Sequence, residues 1–272
     1  MRHLTGTIRL SGKGLHSGVE CVLTIEPFDT AGVILSSDGE ENFLTELLTD
    51  GTHRGSDYIF PTGKRIRTCE HIFSSLGGLG IYSGIRITSE GGEMPALDGS
   101  SREISREIMM KSYDDGIELE HKAISEPVMT ASEDGERFLC AYPAEEFRIT
   151  CTVEYPYIGM QTYDYVMGAT DYAEEIAPAR TFALHSEIEE LRSRGLGLGG
   201  SLKNAVIIGS EGIEADGGLH WRDEFARHKV LDIIGDMYSV GYPLKAHIIA
   251  MRPGHELNLR LSSKLKGVII DG

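Results

Sequence analysis

The sequence is poor in cysteine, and its cysteines do not cluster. Cys21, Cys69, Cys140 and Cys151 are spread over a chain of 272 residues, and none of them forms a CxxC motif. A disulfide framework and a cysteine zinc site both need thiols at close, regular spacings. We therefore exclude both arrangements and expect reduced, mostly buried thiols.

Long apolar runs and an excess of positive charge are also missing. No stretch approaches the roughly 18 apolar residues that span a bilayer, and the start, MRHLTGTIRLSGKG, lacks the apolar core of a signal peptide. Lysine and arginine number 26 against 42 aspartates and glutamates, which gives a formal net charge of -16. Because the chain has no apolar span and no signal peptide, we expect a cytoplasmic protein. Because nucleic-acid recognition needs a basic face, we expect no nucleic-acid partner.

The composition is that of a soluble globular protein, with 40% apolar and 25% charged residues. Short runs rich in β-branched residues occur in both halves, and each half also carries about two helix patterns. This mixture predicts the α+β class rather than a doubly wound sheet. The charged stretch from about Tyr113 to Ser125 suits a linker, so we expect two α+β domains, residues 1–116 and residues 117–272.

Several helices have recognisable ends. Thr68 is placed to cap a helix over CEHIFSSL. Ser186 and Glu189 form a capping-box pattern for a helix that Gly195 would end. The longest predicted helix is DEFARHKVLDIIGDMYSVGYP, and KAHIIAM is predicted to be the final strand.

Two glycine-rich stretches match nucleotide-binding motifs only formally. GLGLGG, residues 195–200, fits GxGxxG, but it follows a helix, whereas a dinucleotide fingerprint follows a strand and opens a helix. GKGLHSG near the start lacks the spacing of a P-loop. We interpret this second stretch as a tight turn with an exposed His16.

The longest predicted helix carries an ionisable stripe within an apolar surface. His228, Asp232 and Asp236 recur every four residues, so they share one helix face. Charged groups flanked by apolar residues are usually paired or bind a metal. The alternative is a stripe that faces solvent beside Arg227 and Lys229, and the spacing HxxxD taken alone favours that alternative.

A second candidate, Glu70-His71, lies in the first turn of the other well-marked helix. Two ligands four residues apart and one distant histidine would make a three-ligand zinc site with an open position for water. An adjacent glutamate can act as general base on that water. The structural alternative is a carboxylate favoured at a helix start by the helix dipole.

Several longer motifs resemble those of one enzyme family. They are CEHIFSSLGGLGI, EMPALDGSS, ARTF, GLGLGGSLKNAVI, DEFARHKVLDIIGD and RPGHELN, with GKGLHSG near the start. Together they resemble UDP-3-O-acyl-N-acetylglucosamine deacetylase, the zinc amidase of lipid A synthesis. The resemblance implies two similar α+β domains, each layering helices against β-sheets, with the active site between them.

The resemblance also implies the residues that hold one zinc ion. His71, His228 and Asp232 match the zinc ligands, and Glu70 matches the general base. An acetamide is a poor electrophile, so zinc would polarise its carbonyl and lower the pKa of water toward about 7. The implied reaction releases acetate from UDP-3-O-acyl-N-acetylglucosamine.

Further residues match catalytic positions of the family. His255 in RPGH matches the catalytic histidine, Asp236 the carboxylate that orients and charges it, and Thr181 a hydroxyl near the oxyanion. A neighbouring carboxylate would keep His255 cationic near neutral pH. Either His255 or Glu70 could protonate the departing amine. Without the resemblance, His255 would be interpreted as a loop residue after a Pro-Gly turn.

The resemblance implies a site for the nucleotide-sugar substrate. Lys229 and Arg252 match positions whose charge meets the diphosphate, and Tyr155 with Glu154 matches the pair that binds uracil. Phe182 and the helix with its glycine-rich exit, Ile188 to Leu198, match the element that forms an apolar passage for the acyl chain. For Tyr155, packing in the protein core is the alternative. His16 in GKGLHSG matches a histidine near the site of the family, which is the alternative to an exposed turn residue.

The chain departs from the family pattern in HRGSDYIF, at Ala183 and at Lys203. These departures leave open a zinc amidase of the same fold that acts on another N-acetylated sugar nucleotide. A sugar-nucleotide binding protein without catalysis is a third hypothesis, which Glu70 argues against because a binder needs no base beside a metal. We expect a monomer that contacts a membrane transiently through its acylated substrate, without stable insertion.

Overall fold

The computed structural model describes residues 1–52, 54–117 and 119–270. Four residues lie outside this part of the chain. They are His53, at the start of HRGSDYIF, and residues 118, 271 and 272, which belong to the predicted C-terminal domain. Helices and several separate sheets are combined, so the predicted α+β class is confirmed. Within the described residues, no helix has both the length and the apolar character needed to cross a membrane.

The strands are short and run along the whole described chain. In order they are β1 Arg2–Leu4, β2 Ile8–Lys13, β3 Glu20–Pro27, β4 Val33–Ser37, β5 Glu40–Phe43, β6 Leu48–Asp50, β7 Asp57–Ile59, β8 Arg65–Ile66, β9 Ile85–Glu90, β10 Ser112–Asp114, β11 Lys122–Ile124, β12 Val128–Ala131, β13 Phe138–Pro143, β14 Arg148–Tyr155, β15 Gly159–Val166, β16 Phe182–Leu184, β17 Val206–Gly209, β18 Gly212–Glu214, β19 Leu244–Met251 and β20 Ile269–Ile270.

The helices lie between these strands. They are α1 Glu70–Gly78, α2 Arg102–Met110, α3 Tyr172–Glu175, α4 Ile188–Ser193, α5 Glu224–Met237 and α6 His255–Leu265. Short 3-10 turns occupy Leu44–Glu46, His185–Glu187 and Tyr238–Val240. Among the described helices α5 is the longest, as the sequence pattern predicts.

The N-terminal half is built on a five-stranded sheet in the order β2-β3-β9-β4-β5. Leu23 and Ile25 of β3 are buried and alternate with more exposed residues, because successive side chains of a strand point to opposite faces. They belong to one buried cluster with Phe73 of α1 and Ile104 of α2. Two helices therefore pack on this sheet. Helix α1 carries Glu70 and His71, and helix α2 follows the EMPALDGSS motif.

The C-terminal half is built on a seven-stranded mixed sheet in which β19 pairs with β13, β14 and β11. Ala246, Ile248 and Ala250 of β19 are buried in a second cluster, together with Leu231 of α5 and Leu261 of α6. The two clusters are formed by different parts of the chain. An exception is Tyr238, which follows α5 but packs in the N-terminal cluster.

Helices α1 and α5 belong to different clusters and touch backbone to backbone. A Cβ atom added at Gly235 would lie 2.1 Å from the backbone oxygen of Glu70. Near this contact the ring of Tyr238 stacks on Phe73 with centroids 5.3 Å apart, and its hydroxyl donates to the carbonyl of Ile81 at 2.7 Å. The crossing therefore holds the start of α1 against the middle of α5.

Two predicted helix caps are wrong. Thr68 adopts a φ of 57°, whereas a capping residue needs an extended backbone, and α1 begins after Cys69. The Thr68 hydroxyl donates to Glu93 Oε1 at 3.1 Å instead. Ser186 lies inside a 3-10 turn, and among the described residues no side chain caps α4. The predicted end at Gly195 is confirmed by its φ of 73° after the last turn.

The end of the chain holds a helix that the local signals hide. KAHIIAM forms β19, but α6 and β20 follow it, so it is not the final strand. The sequence Pro253-Gly254 is typical of a loop, yet α6 begins at the next residue. Leu257, Leu261 and Leu265 are buried at helical spacing, and this periodicity is the signal that indicates α6.

We expect Gly235→Ala to lower the free energy of unfolding by about 1–3 kcal/mol, because the added methyl group forces α1 and α5 apart. Urea denaturation followed by circular dichroism measures the effect. Gly6→Ala is the control, since a Cβ there meets nothing within 4 Å. Without the close contact, alanine in place of glycine in a helix interior would raise the free energy of unfolding by about 1 kcal/mol. A Gly235→Ala protein as stable as the parent would therefore contradict the close crossing.

Candidate active site

The ionisable stripe of α5 is buried. His228, Asp232 and Asp236 are 2%, 1% and 0% exposed. Helices α1 and α6 and strand β14 pack around α5 and exclude solvent from this face. The alternative of a solvated stripe is therefore wrong, and each of these groups needs a partner.

His71 of α1 joins two members of the stripe in one cluster. One possible ligand atom each from His71, His228 and Asp232 lies within 4.8 Å of the others. The two imidazole rings meet edge to face with centroids 5.3 Å apart. Spacing along α5 brings His228 and Asp232 together, and the contact at Gly235 brings the start of α1 to them.

The donor set of this cluster fits a metal ion. Asp232 Oδ1 is buried and, among the described residues, has no hydrogen-bond partner. His228 Nδ1 lies 3.0 Å from the carbonyl of Ala179 and can only donate there, so Nε2 keeps its lone pair toward Asp232. Burial, followed by the nearby His228, lowers the pKa of His71 to about 3, and burial also lowers that of His228. Neutral imidazoles and a carboxylate are suitable metal ligands.

Glu70 is buried beside the cluster. The backbone N–H of Ser56 donates to Glu70 Oε2 at 2.8 Å, and Glu70 Oε1 lies 3.9 Å from His255 Nε2. Burial raises the pKa of Glu70 to about 7, although the charge of His255 acts in the opposite direction. A carboxyl group with a pKa near neutrality can both take up and release a proton.

His255, the first residue of α6, is oriented by Asp236. Its Nδ1 lies 3.0 Å from Asp236 Oδ2, and its Nε2 lies 3.8 Å from Asp232 Oδ2. Burial acts to lower the pKa of His255, but the charges of Asp236, Glu70 and Asp232 outweigh it and raise the pKa to about 9. The imidazole is therefore cationic at neutral pH and directs one N–H to the cluster.

Sequence reasoning missed two side chains that fix Asp236. The Ser56 hydroxyl donates to Asp236 Oδ1, and the Asn258 amide donates to Oδ2 at 2.8 Å. Asn258 follows His255 by three residues, so a predicted α6 would have placed both on one face. Ser56 is separated from Asp236 by 180 residues, and no local pattern connects them.

Lys229 turns its ammonium group toward the cluster. Its Nζ lies 2.6 Å from Asp232 Oδ2 and 5.2 Å from the centroid of the Phe182 ring. Burial acts to lower the pKa of Lys229, but the Asp232 carboxylate outweighs it and the pKa is raised. Lys229 also lines the neighbouring cavity, where a substrate could reach it. Its role toward a diphosphate stays a prediction.

A cavity of about 680 Å³ opens beside the cluster, and its lining has a polar and an apolar part. The polar part includes Glu70, Thr181, His228, Asp232 and His255. The apolar part includes Leu15, Ile188, Leu191, Leu196, Leu202 and Ile207. Tyr155 and Phe182 line the cavity as well and meet edge to face with ring centroids 5.0 Å apart.

Two predicted substrate residues lie apart from this lining. Arg252 is paired at the surface with Glu154 and, at 3.2 Å, with Glu136. In the part of the chain that the structure describes, neither Arg252 nor Glu154 contributes to the cavity wall. The diphosphate and uracil roles expected for Arg252 and Glu154 stay predictions.

His16 is not the exposed turn residue that the sequence suggests. It is 7% exposed and lines the cavity. Backbone N–H groups of His16 and Ser17 donate to the buried carboxylate of Glu93, which draws the turn inward. The N–H of Leu198 donates to the carbonyl of His16, so GLGLGG forms a loop packed on this turn. GLGLGG follows α4, in agreement with the rejection of a dinucleotide fingerprint.

Two histidines and an aspartate around one point, beside a buried glutamate and a cavity, are typical of metal-dependent hydrolases with a single ion. Residues 1–267 match the family model of UDP-3-O-acyl N-acetylglycosamine deacetylase. The chain belongs to this family, and the resemblance seen in its motifs is confirmed.

Curated relatives match almost the whole chain, and each is named UDP-3-O-acyl-N-acetylglucosamine deacetylase. The relative from Chlamydia caviae is 37% identical over 280 residues, which cover 98% of this chain and 97% of the relative. The relative from Myxococcus xanthus is 35% identical over 279 residues, or 97% and 85%. The relative from Syntrophotalea carbinolica is 32% identical over 275 residues, or 96% and 86%.

We expect His228→Ala to weaken metal binding by more than about 100-fold, beyond the roughly 10- to 100-fold typical of losing a group outside the ligand shell. Elemental analysis and competition with a chelator measure the loss. His185→Ala, which removes an exposed histidine, is the control and should bind metal like the parent. Undiminished metal binding by the folded His228→Ala protein would show that the cluster is not the site.

Proposed function

We propose that the protein hydrolyses the N-acetyl group of UDP-3-O-acyl-N-acetylglucosamine, giving UDP-3-O-acyl-glucosamine and acetate in lipid A biosynthesis. Membership of the deacetylase family supports the reaction. The observation that carries the proposal is that Glu70 and His255 both face the cluster of His71, His228 and Asp232. This proximity supports the assignment of a base, an acid and a metal-ligand set to these side chains.

The same proposal assigns the cluster to one zinc ion, held by His71, His228 and Asp232. Zinc would polarise the acetyl carbonyl and lower the pKa of the attacking water. The protein keeps both histidines neutral by burial and leaves Asp232 Oδ1 available. Lys229 holds the other Asp232 oxygen and so favours the ionised carboxylate.

Glu70 is the general base of the proposed reaction. It takes a proton from water as the oxygen attacks the acetyl carbon, and its pKa of about 7 suits it to do so near neutral pH. The hydrogen bond from the Ser56 N–H fixes Oε2 and leaves Oε1 3.9 Å from His255 Nε2, and Glu70 lines the same cavity as His228 and Asp232. The base is therefore aimed before the substrate arrives.

His255 supplies positive charge to the tetrahedral intermediate. Asp236 holds Nδ1, so the proton on Nε2 points to the cluster and can stabilise the oxyanion together with the Thr181 hydroxyl. The proton that completes the departing amine comes from His255 or from Glu70. The protonated imidazole, with a pKa of about 9, is the more abundant donor at neutral pH.

The lining of the cavity agrees with an acylated sugar nucleotide as substrate. Lys229 and Tyr155 would meet the nucleotide part, while Phe182 and the apolar side chains of α4 would bury the acyl chain. We further propose two domains, residues 1–116 and residues 117–272, on the basis of the two buried clusters. A monomeric state, a cytoplasmic location and transient membrane contact stay predictions from the sequence.

We expect the purified zinc protein to release acetate from the acylated substrate with a kcat/KM at least about 100-fold above that for unacylated UDP-N-acetylglucosamine. About four buried CH₂ groups at ~0.8 kcal/mol each already give this factor. Glu70→Gln should lower kcat by about 10²- to 10⁴-fold and keep its zinc. The control is Glu103→Gln, which removes another first-turn glutamate, on α2.

Equal turnover of the two substrates would favour an amidase for a different N-acetylated sugar nucleotide. Tight binding of the acylated substrate without acetate release would favour a binding protein without catalysis.

We expect Asp236→Asn to shift the alkaline limb of the kcat–pH profile to lower pH. The Asp236 carboxylate raises the pKa of His255, so its loss lowers that pKa, and the active protonated imidazole then disappears at a lower pH. Asp223→Asn removes a charge from the start of the same helix without contacting His255 and should leave the limb in place. An unchanged limb in Asp236→Asn would show that His255 need not be protonated.

A further inference from the structure

The buried ionisable stripe of α5 has a fourth member, one helical turn before the residues of the proposed active site. Glu224 precedes His228 by four residues and is fully buried, like Asp232 and Asp236 further along. His228 and Asp232 belong to the metal cluster, and Asp236 orients His255. The carboxylate of Glu224 is hydrogen-bonded to Arg180 and His220 instead, so its burial needs a separate explanation.

Glu224 is paired with Arg180 in a two-pronged ion pair. Arg180 Nε lies 2.8 Å from Oε1, and Nη2 lies 3.1 Å from Oε2. The carboxylate also accepts the backbone N–H groups of Arg180 at 3.2 Å and His220 at 2.7 Å. Only 7% and 0% of the two side chains is exposed, so the pair is almost dry.

The rest of the Arg180 guanidinium binds the loop before α5. Nη1 donates to the carbonyl of Asp216 at 2.9 Å, and Nη2 donates to that of Gly218 at 2.6 Å. A lysine at this position would keep the charge but would not supply a planar fork for four acceptors. The geometry thus requires an arginine.

The neighbours of Arg180 in the chain both reach the active site. The carbonyl of Ala179 accepts the hydrogen bond from His228 Nδ1 at 3.0 Å, and Thr181 lines the cavity. Arg180 therefore anchors the segment before β16, residues 179–181, to Glu224 in the first turn of α5. The same segment orients His228, which lies one turn further along α5. A shift of this segment would move the acceptor of His228 and the Thr181 hydroxyl together.

Stability alone is a weak reason for such a pair. Removing two charges from water costs several kcal/mol, and a buried ion pair often contributes no more stability than apolar side chains of the same volume. A fixed geometry of donors and acceptors is what apolar side chains could not provide.

We infer that Arg180 and Glu224 are positioning residues for the metal site, which hold the Ala179 carbonyl against His228 and Thr181 beside the reacting carbonyl. The inference rests on the proposed metal function of the cluster. It assigns to the pair a role in metal affinity and in kcat rather than in substrate binding.

The test compares Arg180→Lys and Glu224→Gln with the parent protein. Zinc affinity is measured by chelator competition below the unfolding transition, kcat and KM by acetate release, and stability by urea denaturation. Arg148→Lys is the matched control, because Arg148 forms the same two-pronged pair with Asp164 at the surface, at 3.0 and 2.7 Å. If Arg180→Lys does not fold, Arg180→Gln/Glu224→Gln removes both charges and keeps polar groups.

We expect zinc affinity to fall about 10- to 100-fold in Arg180→Lys and Glu224→Gln, as for other groups that hold a ligand in place. The kcat value should fall with it, while KM stays within about twofold of the parent. Arg148→Lys should change none of the three. Lower stability with unchanged zinc affinity and kcat would overturn the inference and leave a structural pair.

Failure of the proposed function has a different signature. A parent protein that binds zinc but releases no acetate would refute the deacetylase proposal, while the affinities of the variants would still decide the positioning role.

Discussion

The backbone contact between α1 and α5 at Gly235 is the constraint on which the site depends. It places the first turn of α1 against a face of α5 that carries ionisable groups every four residues. No side chain larger than hydrogen fits between the two backbones. Because each helix packs in a different buried cluster, this crossing sets the distance between His71 and the side chains of His228 and Asp232 on α5.

Burial then gives the charged groups different properties. His71 and His228 are forced toward the neutral form, while His255, surrounded by three carboxylates, stays protonated. Glu70 lies between these extremes, with a pKa of about 7. The same low-polarity surroundings therefore hold neutral imidazoles, a carboxyl group that titrates near neutral pH and an imidazolium cation close together, because each group has different neighbours.

Sequence reasoning reached the parts of the fold and site that are encoded locally. The α+β class, α5 and the i, i+4 spacing of His228 and Asp232 follow from periodicity, and the family motifs point to His71 and Glu70. Ser56 escaped because it meets Asp236 from 180 residues away. The local pattern misplaced His16, because a glycine-rich turn is usually exposed whereas Glu93 draws this one inward; the family resemblance had placed His16 near the site. Thr68 and Ser186 fit capping patterns that the backbone, placed by tertiary contacts, does not allow.

The separation of His71 from its partners along the chain has a thermodynamic consequence. A ligand that binds only the native arrangement stabilises it by RT ln(1 + [L]/Kd), about 1.4 kcal/mol for each tenfold rise in concentration above Kd. An ion held by α1 and α5 would bind only when the two halves are docked. The concentration of metal would then contribute to how stably the two halves of the molecule stay docked.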